Sequence, residues 1–252
     1  MRTVKALKDY RIASAVDFDG MRSADLEVMA LAGQQVVEAY RVLAKTGDNV
    51  VGELLRGDDT FYEWDHYPKG DVYDRETHSQ YYYHAHVVDQ RFPGEHGHFH
   101  TFLRPKGMPP EIKPADFPGR PVPEDPNDEL SHLIAIAMTP AGFPFRLFST
   151  NRWVTGEVWY GAEDVIALLD LFNIDHARPS WPVNRWITAL IGLFKPQIVE
   201  LVRARDRAVE AWAKHRPGGD VFEDRDLEIT SYLDIDVEDQ IHAVSQALLK
   251  RK

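Results

Sequence analysis

The sequence predicts an α+β fold: an antiparallel sheet of about five to six strands, flanked by N- and C-terminal helices. Two observations predict it. Segments with a two-residue apolar period crowd between residues 78 and 160, and one such run returns near the C-terminus. Segments with helical spacing fill residues 20–60 and 161–252. No repeat, low-complexity segment or linker divides the 252 residues, so they read as a single domain, 1–252.

The elements follow in order. Ser23 is placed to cap a helix in which Leu26, Met29, Ala30, Val36, Val37, Tyr40 and Leu43 recur at helical spacing, ending near Gly47. A short helix is expected over Val50–Leu55, and then an irregular aromatic stretch, Phe61–Pro68. A hairpin covers residues 81–100, with Pro93-Gly94 as its turn. Eight prolines between residues 105 and 126 exclude helix and interior strand, leaving a long loop that is either a lid over the sheet or a surface excursion. A second hairpin joins Leu133–Met138 to Phe145–Phe148, and a further strand is expected over Val154–Tyr160, running into a helix at about 162–172. Pro182 suits a first helical turn, Pro196 breaks or restarts the helix, and Pro217-Gly-Gly219 ends it. Leu227–Ile235 alternates like a half-buried strand, and Asp236 caps a last helix, with Asp239 three residues on.

The chemical signal lies in the first hairpin. Five of the eleven histidines fall between residues 84 and 100, where an even spread would place about 0.7. His84 and His86 are two apart, as are His96, His98 and His100, and two is the side-chain period of a strand. A register summing to 184 sets His84 against His100 and His86 against His98, a two-by-two imidazole patch with His96 at one end and Tyr82 and Phe102 at the other. Alternation turns Glu95 away from it, unless a bulge at Gly94 or Gly97 intervenes.

Such a patch has two readings. Its imidazoles are hydrogen-bonded polar groups lining a groove, or they ligate a metal. The metal reading takes His84, His86, His98 and His100 as the ligand pool. His96, His132, Glu157, His78 and Glu63 are candidates to complete the shell. Nitrogen and oxygen donors without thiolate suit a divalent transition metal, with Fe, Zn, Mn, Ni and Cu all open. Ligands from one sheet face leave the far side of an ion open, as catalytic sites do. Arg91, Arg104, Arg146 and Arg152 surround the sheet; Arg104 shares the histidine parity and is the preferred clamp for an anionic small-molecule substrate. Tyr82 shares it too, as a proton donor or a packed wall.

Composition bounds the alternatives. The net charge of −11 argues against a nucleic-acid partner. The absence of cysteine removes disulfides, thiolate metal sites and cysteine nucleophiles. Residues 1–10 lack the apolar core of a signal peptide, and no run is long enough for a membrane span, so the expected location is cytoplasmic. Gly-rich phosphate loops, Gly-x-Ser-x-Gly and His-Glu-x-x-His are also missing.

The segments Tyr81–Arg104, Thr150–Glu157 and Leu227–Gln240 resemble an uncharacterised bacterial family of cytoplasmic proteins, a domain of unknown function with His-x-His followed by Glu-His-Gly-His-x-His. That resemblance covers most of the chain; it implies location and single-domain architecture, and no activity. The His-x-His pair with a later strand histidine is also similar to the cupins, whose barrels often carry non-haem iron or manganese. The cupin glutamate is missing, however, and Val87-Val-Asp-Gln-Arg91 stands in its place. The expected function is a non-haem metalloenzyme performing oxidation, oxygenation, hydrolysis or lyase chemistry. The alternatives are a haem or metal carrier and a non-catalytic interaction domain; neither sequence nor charge fixes the oligomeric state.

Overall fold

In the computed structural model, which describes residues 10–14, 16–57 and 60–251, six antiparallel strands pair in chain order. They are β1 (Tyr67–Tyr73), β2 (Ser79–His84), β3 (Gly97–Leu103), β4 (Ser131–Met138), β5 (Pro144–Thr150) and β6 (Ile229–Asp234). The helices are α1 (Ser23–Ala44), α2 (Val50–Leu55), α3 (Arg152–Thr155), α4 (Ala162–Leu168), α5 (Trp181–Leu193), α6 (Lys195–His215) and α7 (Val237–Leu249). The fold is therefore α+β, with helices at both ends of the chain. Most of the stretch read above for a signal peptide, residues 1–9, lies outside the described residues.

Alternation gives the sheet two different faces. Tyr81, Tyr83, Phe99, Leu103, Ile134, Ile136, Met138, Leu147 and Leu233 belong to one apolar core with residues of α1, α4, α5 and α6. In this core Trp186 is fully buried and the Tyr81 hydroxyl donates to Asn184 Oδ1 at 2.6 Å. The intervening residues His84, His98, His100, Ala135, Ala137, Phe148 and Tyr232 face the other way and carry the histidines. Phe92 packs on this second face beside Phe148 and Tyr232.

Three local expectations change. Ser23 is the first residue of α1 and Arg22 stands at its N-cap, where a guanidinium has no acceptor to offer the free N–H groups; it pairs with Asp25 instead. β1 joins the sheet where an irregular stretch was expected; its pairing slips between Tyr67 and Val72, around Gly70 and Asp71, both at positive φ. Val154–Tyr160 forms no strand. Arg152–Thr155 turns as a short helix that Gly156 ends in the left-handed region, and the residues after it run extended without a strand partner.

Elsewhere the punctuation works as read. Asp236 Oδ1 caps α7 through Asp239 N–H; Asn49, not singled out above, caps α2 with its Oδ1 accepting from Val51 and Gly52 N–H. Pro182 and Pro196 sit in the first turns of α5 and α6. The proline-rich loop packs Phe117 on Phe222 near Trp159, away from the histidines.

Candidate metal centre

The β2–β3 register sums to 182, so His84 faces His98 and Tyr82 faces His100. The expected 84–100 and 86–98 pairs are thus displaced by two residues. The cause is the connection, which is no tight turn. β2 stops at His84, a 3₁₀ turn occupies Val88–Gln90, and Phe92 plunges into the sheet before Gly94 reverses the chain at φ +83°. A slip of two preserves side-chain parity, so His84, His98 and His100 still share a face. His86 reaches them from just beyond the strand end. Ring centroids lie 4.5 Å apart for His84–His98, 5.1 Å for His86–His98, 5.0 Å for His84–His86 and 4.9 Å for His98–His100.

Three of these rings converge. His84, His86 and His98 are all buried, and each offers a nitrogen within 4.8 Å of the other two. The closest pair is His84 Nε2 and His98 Nε2, at 2.8 Å. Burial, reinforced by the neighbouring imidazoles, holds the His84 and His86 pKa values below the ordinary one, His86 at about 4, so both rings are neutral near pH 7. Such a group could hold a metal ion.

Glu95 belongs to this site, contrary to the alternation argument. It lies before β3 begins, where strand parity does not apply, and the turn at Gly94 brings its carboxylate inward. Oε1 accepts from His98 Nδ1 at 2.5 Å and Oε2 accepts from Phe92 N–H at 2.9 Å. Burial alone would raise the carboxyl's pKa; His98 and the two hydrogen bonds outweigh it and hold the group below its usual range. With the carboxylate on Nδ1, His98 Nε2 is left to face the other two imidazoles. The sequence signal was Glu95 standing three residues before His98 across a Gly-containing turn.

His100 is set back from this triad. Its Nδ1 lies 3.0 Å from His132 Nε2, and burial depresses the pKa of both rings, His132 to about 3. Glu157 lies behind His132: Oε2 accepts from its backbone N–H at 2.7 Å, and burial raises the carboxyl pKa to about 7. His96 turns to the opposite side of the hairpin, where Nδ1 meets the Tyr83 hydroxyl at 2.7 Å. His78 lies apart against Tyr73, and Glu63 pairs with Arg91.

Aromatic residues close over the patch. Trp64 stacks on His86 at 4.3 Å, and His66 stacks on Tyr82 at 3.6 Å and stands edge-on to His84. Trp64 holds φ +74°, an uncommon conformation for a bulky residue. Burial raises the Tyr82 pKa, so its phenol keeps the proton.

The arginines take other posts. Arg104 Nε donates to Gln80 Oε1 at 2.6 Å, its NH1 engages Asp128, and it lines a cleft of about 840 Å³ whose wall includes His66. Arg91 Nε holds the His86 carbonyl, Arg146 pairs with Asp234 over the Phe92 ring, and Arg152 pairs with Glu223. A second, small cavity of about 50 Å³ is bordered by His86, His98 and His100.

The six strands form one sequential meander and not two barrel sheets, so the likeness to cupins stops at the His-x-His pair. No helix among the described residues is long and apolar enough to cross a membrane. No curated protein and no solved structure matches the chain. A family model does match, over residues 30–235, which take in the whole sheet and the histidine site; the chain belongs to the family described as Domain of unknown function (DUF6969).

Proposed function

We propose that this protein is a mononuclear non-haem metalloenzyme whose ion is held by His84, His86 and His98, and that it acts on a small anionic molecule. The convergence of three buried imidazoles, one of them oriented by a carboxylate, carries this reading. Nitrogens about 2.1 Å from one ion lie roughly 3–4 Å apart, and the three donor atoms here lie within 4.8 Å of one another. Fe, Zn and Mn all suit these donors. The ion would supply Lewis acidity, or redox chemistry if it is iron or manganese, giving hydrolysis or lyase reactions in one case and oxidation or oxygenation in the other.

The remaining residues divide the work. Tyr82 keeps its proton and sits between His84 and His100, placed to donate to a developing charge. Arg104 presents a braced guanidinium to the larger cleft, where it would orient the substrate's anionic group. His66 links the two spaces, lining the cleft while stacked on Tyr82.

A second reading, a non-catalytic domain with hydrogen-bonded histidines, rests on the direct ring contacts His84–His98 and His100–His132. The carrier reading shares the triad. For haem, however, the 50 Å³ beside it falls far below the several hundred Å³ that a ligand of that size occupies. Elemental analysis of the purified protein separates enzyme or metal carrier from interaction domain. Close to one metal per chain is expected, with most of it lost in His86→Ala and His98→Ala. A metal-free parent that binds none on titration would return the histidines to mutual hydrogen bonding.

A further inference from the structure

We propose that the cavity beside the triad is a binding site for a ligand of two or three heavy atoms, of the size of dioxygen and with a terminal oxygen or nitrogen able to hydrogen-bond, held by His100 Nε2 and Thr150 Oγ1. The inference rests on the metal centre proposed above and adds what can occupy its open side.

Size is the first argument. The cavity measures about 50 Å³, whereas a cavity of roughly 150 Å³ is what takes up benzene or xenon. An organic substrate does not fit; a water or a small linear molecule does. Phe92, Phe148, Val154 and Ile229 line the space together with the polar and charged residues Gln90, Arg91, Glu95 and Glu228, so it is the volume that limits the guest.

The second argument is polar and independent. Among the described residues, His100 Nε2 and Thr150 Oγ1 are buried without any hydrogen-bond partner. The two residues are 0 % and 1 % exposed, and both line the cavity. They come from different strands, β3 and β5. A buried polar atom without a partner is costly, and here two atoms with that need border the one space next to the triad nitrogens. A guest ending in oxygen or nitrogen would satisfy both. His100 Nε2 donates in the tautomer in which His132 Nε2 donates to His100 Nδ1.

The larger cleft then has a separate task. Organic substrate would sit on the Arg104 side, with His66 and Tyr82 between it and the small ligand, so the two reactants would enter from different directions.

The test uses the full chain loaded with Co(II), whose visible bands report its coordination. Azide, with three atoms in a line, should perturb the bands saturably, and imidazole at the same concentration should not. Thr150→Val should keep its cobalt and its melting temperature, since it deletes an unpartnered hydroxyl. It should bind azide roughly three- to tenfold more weakly, the loss of about one hydrogen bond, and Thr150→Ser should restore the affinity. Imidazole binding as well as azide, or an unchanged azide affinity in Thr150→Val, would overturn the assignment. Failure of the parent to take up cobalt would instead remove the centre itself, and the pocket's role with it.

Discussion

Glu95 decides which nitrogen of His98 is free, because a carboxylate that accepts from Nδ1–H leaves Nε2 with its lone pair. Replacement by Gln keeps the shape and removes the charge. Metal affinity of Glu95→Gln should fall roughly 10- to 100-fold, the usual cost of a lost carboxylate partner, while the fold survives. Competition with a chromophoric chelator reads this directly, and unchanged affinity would show Glu95 to be structural only. The sequence made His84, His98 and His100 visible as a set because parity survives an even register slip. It hid Glu95 and misplaced His96 for one reason: both lie before Gly97, where the strand has not begun.

At the scale of elements, the β2–β3 connection does more than join strands. Gly97 lets the two chains close, since a Cβ there would sit 2.4 Å from the His84 carbonyl oxygen and 2.7 Å from the Tyr83 hydroxyl. Gly94 differs: its φ is +83°, yet a Cβ would meet nothing within 4 Å. Gly97→Ala should therefore destabilise by about 2–3 kcal/mol through overpacking against backbone. It should also weaken metal binding, by pushing His84 from His98. Gly94→Ala should cost only about 1–2 kcal/mol of backbone strain and leave the metal site intact. Chemical denaturation with parallel metal titration compares them, and a Gly97→Ala variant as stable as the parent would refute the close-approach argument. Elements with regular period and clear punctuation, such as β4, β5, α5 and α7, were legible in advance. β1 was not, because Pro68, Gly70 and a bulge at Asp71 break its pattern. Val154–Tyr160 misled in the opposite way: it is rich in strand-forming residues, but Arg152–Thr155 forms a short helix and Gly156 ends it in the left-handed region.

Across the whole molecule, the buried titrating groups oppose one another and their balance sets the pH dependence. His84, His86, His96, His100 and His132 all have pKa values below 6.5 in the folded state, so the unfolded chain binds more protons as pH falls through 6.5. The stability tied to these rings is present above pH 6.5 and is lost on acidification, for His86 toward about pH 4 and for His132 toward about pH 3. Glu157 acts with the opposite sign. Its pKa rises from 4.5 to about 7 on folding, so its contribution is full below pH 4.5 and fades as pH climbs to 7. Five rings against one carboxyl give a net loss of stability between pH 6.5 and 4.5. A bound ion adds its own stabilisation for as long as its imidazoles are neutral, which for His86 means above about pH 4 and for His84 lower still. At a free metal concentration of 100 times its dissociation constant the ion adds about 2.7 kcal/mol, or roughly 5–10 °C in a chain of this length. The melting temperature should therefore drop by that amount when a chelator is added near pH 7.5, and the response should shrink only as pH falls through about 4, where His86 takes up a proton and releases the metal. Equal melting curves with and without chelator at pH 7.5 would mean that no ion stabilises the triad. A chelator effect undiminished below pH 4 would mean that the ion is not held by these histidines.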